Sequence, residues 1–245
     1  ILIKKIKNLI NNKLKMKIMK NKNFYNYPKL FTINQYNNAK ISIISKFKSN
    51  KNLKAIFEYG SLNNIGISDL DIIVILNNQI SLDCSKFISK DILPKETLSI
   101  IDFASLIILP EKNINEILIW DDLKLNQLYG EDIKINTYIS LEIEIARIID
   151  WLPERIIRVE ETITSEKINV RKTLGLLKSS CYTLKNLINK FDLGIDSFNI
   201  LINNIDELRN NWFLLDKNKA ELLLIEQLFE TKKNLLIGLD LFDNW

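Results

Sequence analysis

The spacing of apolar and polar positions in the first half of the chain predicts alternating helical and extended segments. Ala39, Ile41, Ile44 and Phe47 recur at helical intervals. The predicted helices cover residues 34–49 and 114–130. Apolar and β-branched runs predict strands over residues 53–59, 71–76 and 98–105, the last extended to residue 109 before Pro110 ends it.

The second half of the chain has helical periodicity throughout, and no strand is predicted beyond about residue 137. The predicted helices cover residues 139–150, 153–162, 165–190, 196–214 and 216–241. Pro153 suits a first helical turn, whereas Ser165, Asp196 and Asp216 are predicted N-caps because their side-chain oxygens accept from main-chain N–H groups. The predicted class is α+β, with an arm at residues 1–34, a strand-bearing domain at 35–135 and a helical bundle domain at 136–245.

The absence of histidine among the 245 residues excludes several kinds of active site. A Ser-His-Asp or Cys-His nucleophile, a His-ligated zinc ion and a His general base cannot be built from this sequence. The two cysteines, Cys84 and Cys181, cannot form a disulfide framework, which favours a reducing, cytoplasmic setting. No apolar run approaches the roughly 20 residues that span a bilayer, and lysine and asparagine interrupt the N-terminal apolar run, so no secretory signal is predicted.

Charge is distributed unevenly along the chain. Fourteen lysines precede Glu58, the first acidic residue. Residues 1–57 therefore carry +14, and because the whole chain carries +4, the remainder carries −10. Such a basic segment attracts anions, whether nucleotide phosphates, RNA or an acidic membrane surface. The favoured interpretation is a solvated, lysine-rich leader, and nucleic acid as a partner of residues 1–57 is the alternative.

Candidate chemistry is concentrated in residues 60–71. Gly60-Ser61 ends one predicted strand, a seven-residue connection follows, and Asp69-Leu70-Asp71 opens an apolar strand. Residues two apart in a strand share a face, so the two carboxylates lie side by side and repel each other unless a cation is bound. Mg²⁺ suits two such carboxylates together with substrate phosphates.

The connection between the two strands predicts a phosphate-binding turn. Glycine lets the backbone approach a ligand, and main-chain N–H groups at the start of a short helix over residues 62–65, closed by Gly66, favour phosphate oxygens together with the Ser61 hydroxyl. Ser68 would cap or orient the turn that leads to Asp69. Glu58 is interpreted as a solvent-facing strand residue, with substrate contact as the alternative.

This arrangement resembles the signature of the DNA polymerase β-like nucleotidyltransferase superfamily, in which Gly-Ser or Gly-Gly is followed by a short turn and an Asp-x-Asp on the next strand. The resemblance covers about residues 35–130. It implies a small mixed sheet and the transfer of a nucleoside monophosphate from an NTP such as ATP to a hydroxyl, with two Mg²⁺ ions held by three carboxylates. Asp69 and Asp71 match the metal-binding pair; Gly60 and Ser61 match the triphosphate-binding turn, with which Ser68 is grouped.

The resemblance also implies a third carboxylate on a later strand. Asp102 is assigned to this position because it is the acid embedded in a strand-like run, where an unpaired carboxylate would be costly to bury. It would ligate a metal ion and orient or deprotonate the attacking hydroxyl. The other candidates are Asp91, Glu96, Asp121 and Asp122.

The identity of the acceptor stays open. A small catalytic domain followed by a helical bundle is similar to the layout of aminoglycoside nucleotidyltransferases. The Gly-Ser turn is also similar to that of minimal nucleotidyltransferases of toxin–antitoxin systems, although these lack a large second domain. An enzyme acting on RNA ends would suit the basic arm, and a catalytically degenerate protein that binds nucleotide, RNA or a protein partner is the non-enzymatic alternative. An ordinary strand with an exposed Asp-Leu-Asp is the interpretation without a site.

Overall fold

The computed structural model describes residues 22–60, 62, 64–78, 93–101, 106–117, 125–135 and 139–245. These residues belong to two compact units, one formed by residues 29–140 and the other by residues 22–28 together with 141–245. The predicted α+β class is confirmed, since a small mixed sheet is followed by a C-terminal helical region. In the part of the chain that the structure describes, no helix is long and apolar enough to cross a membrane.

The unit of residues 29–140 is built on a four-stranded sheet. In chain order its main elements are α1 (Ile33–Phe47), β2 (Leu53–Tyr59), β3 (Asp71–Leu76), α2 (Lys95–Ile101), β4 (Ile107–Pro110), the short α3 (Ile114–Ile117) and β5 (Leu125–Gly130). The strand order is β4-β3-β2-β5, with β3 and β4 parallel and the other pairs antiparallel. The predicted strands at residues 53–59 and 71–76 are thus confirmed.

The two faces of this sheet carry separate apolar clusters. Ile56, Ile72 and Val74 pack with residues of α1 and α2, whereas Phe57 and Ile73 belong to the cluster on the opposite face. Helix α1 begins after a capping box, in which Thr32 and Gln35 bond to each other's main-chain N–H groups. Its buried side includes Tyr36 and Ile43, while Ile41, predicted to be on the apolar face, is 59% exposed.

Two predictions in this unit are wrong. Residues 98–101, predicted as a strand, form the end of α2, because the buried residues Thr97, Ile100 and Ile101 are spaced at three- and four-residue, helical intervals. The strand of this region begins only at Ile107. Residues 125–130, predicted as part of a helix, form β5, whose backbone pairs with β2.

The other unit consists mainly of four long helices. These are α4 (Leu141–Thr164), α5 (Val170–Phe191), α6 (Asp196–Asn210) and α7 (Lys217–Asp243), and α7 packs against the other three. A two-stranded parallel sheet joins β1 (Asn23–Tyr25) to β6 (Lys167–Asn169), so a strand does occur beyond residue 137. This pairing explains why residues 22–28 belong to the helical unit rather than to a separate arm.

Helix boundaries in this unit correct three predictions. Helix α4 continues through Pro153, which is exposed, so water can satisfy the carbonyl that the missing N–H leaves free. The cap of α5 is Asn169, because the Ser165 hydroxyl bonds instead to the main chain of Lys167. Asp196 is the first helical residue of α6 rather than its cap. The Asp216 cap is confirmed, since its carboxylate accepts from Lys219 N–H at 2.9 Å.

Candidate functional site

Gly60 forms the chain reversal at the end of β2. Its φ of +84° lies in the left-handed region that favours glycine. A Cβ built on Gly60 would have the Asp71 carboxylate oxygen Oδ2 as its nearest neighbour, 3.9 Å away. The Asp71 carboxylate therefore lies within van der Waals contact distance of the position that a Gly60 side chain would occupy. Ser61, the predicted partner of Gly60, lies outside the described residues.

Asp71 is positioned by β3, and Asp69 lies two residues before that strand begins. Asp71 is the first residue of the strand and pairs directly with Tyr59 of β2. Leu70 is fully buried in the cluster under α1 and α2 with Ile72 and Val74, so Asp71 lies on the opposite face of the sheet. Both aspartates are half-buried.

Tyr59 reports the charge of both carboxylates. Its pKa is raised well above the ordinary value, first by burial of the phenol, then by the negative charge of Asp71 and of Asp69. Both carboxylates therefore act on the same tyrosine, as expected for side chains that share a face of the sheet. Tyr59 is not among the site residues predicted from the sequence, although its position one residue before the Gly60 turn is a usable signal.

The turn that leads to Asp69 is held by Tyr36. The Tyr36 hydroxyl accepts from Gly66 N–H at 3.0 Å and donates to the Ser68 carbonyl at 2.6 Å, and the tyrosine is fully buried. Gly66 has a φ of +88°. The only sequence signal for Tyr36 is its helical spacing with Ala39 in α1, which marks a core position without showing that the hydroxyl is used.

The predicted short helix over residues 62–65 is wrong for the residues described there. Leu62 and Asn64 are not helical, and Ile65 forms an isolated bridge with Ser68. The Asn64 carbonyl accepts from the N–H groups of Ile67 at 3.0 Å and Ser68 at 2.8 Å, so hydrogen bonds close a turn instead. Ser68, predicted among the nucleotide-binding residues, is 6% exposed, and its main chain holds this turn.

Glu58 lies on the other face of the sheet, and its interpretation as a solvent-facing residue is wrong. The carboxylate forms an ion pair with Lys40 of α1 at 2.8 Å, and the two side chains are only 13% and 17% exposed. Asn126 of β5 also donates to Glu58, at 3.4 Å. The ion pair anchors α1 to the end of β2.

The third carboxylate cannot be placed from the described residues. Asp102 lies outside them, as do Asp91, Asp121 and Asp122, while Glu96 is exposed in the first turn of α2. The carbonyl of Ile100 accepts from Leu70 N–H at 3.3 Å, so the last turn of α2 lies against the residue between the two aspartates. Within the described ranges, no group of three or more acidic or cysteine side chains is arranged to hold a metal ion.

Asp69 and Asp71 nevertheless offer carboxylate oxygens of the kind that hold a cation, and the Gly60 main chain lies beside Asp71. Mg²⁺ prefers oxygen ligands and is commonly bound by one or two protein carboxylates plus substrate phosphates. The open space beside Gly60 is bordered by the Asp71 carboxylate, where such a phosphate could approach the main chain.

Comparison of the chain with protein-family models, with curated proteins and with solved structures finds no match.

Proposed function

We propose that this protein is a Mg²⁺-dependent nucleotidyltransferase, which moves a nucleoside monophosphate from an NTP to a hydroxyl acceptor. The observation that carries the proposal is the approach of the Asp71 carboxylate to the Gly60 turn, within 3.9 Å of the glycine Cβ position. Carboxylates that hold the cation and a turn that binds the phosphates must contact the same substrate, so an Asp-x-Asp that pointed away from the glycine turn would contradict the proposal. The position of Asp71 beside Gly60 supports the proposal.

The chain's own residues have distinct roles in this proposal. Asp69 and Asp71 hold Mg²⁺, which when bound neutralises the charge of the triphosphate and polarises its phosphorus–oxygen bonds. The main chain at Gly60, with the Ser61 hydroxyl, binds the phosphate oxygens. The acceptor hydroxyl oxygen forms a bond to the α-phosphorus, the bond from that phosphorus to the bridging oxygen of pyrophosphate breaks, and a base takes the hydroxyl proton. Asp102 is the proposed base and third ligand.

The test is pyrophosphate release from each of the four NTPs with Mg²⁺, in the presence of pooled small-molecule, RNA and protein acceptors. Asp71→Asn removes the charge with almost no change in volume, and should lower the rate by at least about 1,000-fold, since metal-bound charge stabilisation contributes several kcal/mol. The matched control is Asp132→Asn, an exposed aspartate of the same unit, which should keep the wild-type rate. The acceptor that gains the label identifies the substrate class.

Stability separates loss of function from loss of folding. Without a bound cation, Asp71→Asn removes the repulsion between two neighbouring carboxylates, so its free energy of unfolding should equal or slightly exceed that of the wild type. Equal pyrophosphate release by Asp71→Asn and Asp132→Asn would refute the proposal. Nucleotide binding without release, unchanged in Asp71→Asn, would instead identify a catalytically degenerate nucleotide-binding protein.

A further inference from the structure

A cluster of lysines lies at the other end of β2 from Gly60. Residues 46–54, here called the basic turn, run from the last turn of α1 to the first residues of β2. They contain Lys46, Lys48, Lys51 and Lys54 and no acidic residue. Lys54 forms an ion pair with Glu131 at 2.7 Å. The other three lysines are exposed, and none of them pairs with a carboxylate among the described residues. Three positive charges within residues 46–54 therefore have no carboxylate partner in the part of the chain that the structure describes.

Hydrogen bonds and burial hold the basic turn in one conformation. Phe47 is 3% exposed and belongs to the cluster under α1. Asn50 N–H donates to the Phe47 carbonyl at 2.9 Å, and Leu53 N–H donates to the Asn50 carbonyl at 3.0 Å. Asn52 bonds to Asn77 through both its main chain and its side chain. The lysine backbones are thus fixed before any ligand arrives, which lowers the entropic cost of binding a polyanion.

An open cavity of about 390 Å³ adjoins the basic turn. Its volume is within the range of about 300–1,000 Å³ that is usual for small-molecule pockets. It is lined by Lys48, Asn50, Leu53, Lys54, Tyr129, Gly130 and Glu131. Tyr129 is 42% exposed on the edge strand β5, so part of its ring is available to a ligand.

Gly130 lines this cavity at a point where the backbones of β5 and β2 are in close contact. Its φ is +99°, and a Cβ there would lie 2.1 Å from the Lys54 carbonyl oxygen. The backbone of β5 thus passes directly against β2 beside Tyr129, and Glu131 N–H donates to the same carbonyl at 2.8 Å. The cavity is therefore bounded by backbone that cannot move without breaking the sheet.

We propose that the basic turn and this cavity bind single-stranded nucleic acid. Lys46, Lys48 and Lys51 contact successive phosphates, and the Tyr129 ring stacks on a base. Of these lysines Lys48 lines the cavity with Tyr129, whereas Lys46 and Lys51 are near it in the sequence. Lysines that track the phosphates beside an exposed aromatic ring are the combination by which proteins bind single strands without reading their sequence. A membrane surface needs neither a recess nor a stacking ring, so the cavity favours nucleic acid.

This binding is independent of the proposed transfer reaction. Lys54 and Tyr59 lie at opposite ends of one strand, roughly 17 Å apart at about 3.3 Å per residue. The contact with nucleic acid can therefore be measured with neither NTP nor Mg²⁺ present. Its failure would leave the nucleotidyltransferase proposal untouched, and the reverse also holds.

The experiment is fluorescence anisotropy of the full chain with a labelled single-stranded RNA of about 15 nucleotides, repeated from about 50 to 200 mM salt. Replacing Lys46, Lys48 and Lys51 together by Gln should weaken binding by about 10-fold or more and reduce the slope of log K against log salt by about 2, since each phosphate contact on a single strand contributes about 0.7. The matched control replaces Lys167, Lys219 and Lys233, exposed lysines of the helical unit, by Gln. It changes the net charge equally and should bind within about two-fold of the wild type.

Tyr129 provides an independent test of the cavity. Tyr129→Leu should weaken RNA binding by about 10-fold, whereas Tyr129→Phe keeps the ring and should bind like the wild type. Because residues 1–21 carry seven further lysines, the salt slope of each variant is compared with that of the wild type rather than with zero. Circular dichroism verifies that each variant is folded.

Three outcomes would overturn the proposal. The first is an affinity and salt slope for the basic-turn variant equal to those of its matched control. The second is wild-type binding by Tyr129→Leu, which would leave no role for the cavity. The third is lysine-dependent binding to vesicles containing phosphatidylserine without binding to RNA, which would identify a membrane-facing surface instead.

Discussion

Gly60→Ala separates the strain of the Gly60 turn from its use as a binding site. The φ of +84° is unfavourable for alanine, and an L-residue in the left-handed region costs about 1–2 kcal/mol. Among the described residues other than its chain neighbours, the added methyl would meet only Asp71 Oδ2, at 3.9 Å, which is an ordinary contact. Backbone strain is therefore the expected cost, and we expect the unit of residues 29–140 to lose about 1–2 kcal/mol.

Gly130→Ala is the control in which strain and collision act together. Its φ is +99°, and the new Cβ would lie 2.1 Å from the Lys54 carbonyl oxygen and 2.7 Å from Ala55 Cα. Both neighbours are backbone atoms of β2, so no side-chain rotation relieves the overlap, and a loss of at least about 3 kcal/mol is expected. Native-state hydrogen exchange of peptides from β2 and β3 measures both losses within this unit alone.

Turnover completes the comparison. The methyl of Gly60→Ala would occupy the space beside Asp71 that the proposed function assigns to substrate phosphate, so kcat/KM for the NTP should fall by about 100-fold or more although the protein stays folded. A stability loss for Gly60→Ala as large as that of Gly130→Ala would refute the strain argument. Turnover within about three-fold of the wild type would show that no phosphate approaches this turn.

Two further predictions concern the helical unit. Thr231 is fully buried and its hydroxyl has no hydrogen-bond partner among the described residues, so Thr231→Val should raise the free energy of unfolding in urea by about 1 kcal/mol. The control Thr173→Val removes a hydroxyl that donates to a main-chain carbonyl at 2.8 Å, and it should lower the free energy of unfolding by a similar amount. A destabilised Thr231→Val would contradict this reasoning. Burial, above all, raises the pKa of the Cys181 thiol to about 12; the thiol is therefore neutral at pH 8 and becomes a thiolate only as the pH approaches that value. In a Cys84→Ser background, iodoacetamide should label Cys181 at least about 100-fold more slowly in the folded protein than in urea, as measured by mass spectrometry, and equal rates would exclude a buried thiol.

Local patterns predicted the residues whose chemistry depends on spacing along one strand. Asp71 opens β3 and follows the buried Leu70, as the predicted alternation requires, and the charges of Asp69 and Asp71 both act on Tyr59. Gly60 is predicted as a turn residue at which the backbone approaches a ligand, and its φ of +84° is one that favours glycine. The Asp216 cap likewise depends only on residues within one turn. Each of these features is determined by neighbours in the sequence.

Pairing between distant segments could not be read from the same patterns. Most side chains of β5 are exposed, so its sequence shows no alternation, and it is a strand only because its backbone bonds to β2. Residues 98–101 were mistaken for a strand because Ile100 and Ile101 are β-branched, whereas burial at helical intervals decides their structure. Helix α4 continues through Pro153 because packing of one face of the helix outweighs a single lost hydrogen bond.

One face of α1 contacts both chain segments of the candidate site, the end of β2 and the turn before β3. No pattern in the sequence predicts these contacts. Tyr36 and Lys40 are four residues apart, so they project from the same side of the helix. The Tyr36 hydroxyl holds the turn that leads to Asp69, and the Lys40 ammonium holds Glu58 at the end of β2. The two chain segments that bring Gly60 and Asp71 together are therefore fixed to one rigid element. Neither residue belongs to the Gly-Ser and Asp-x-Asp signature, yet the geometry of the signature depends on both.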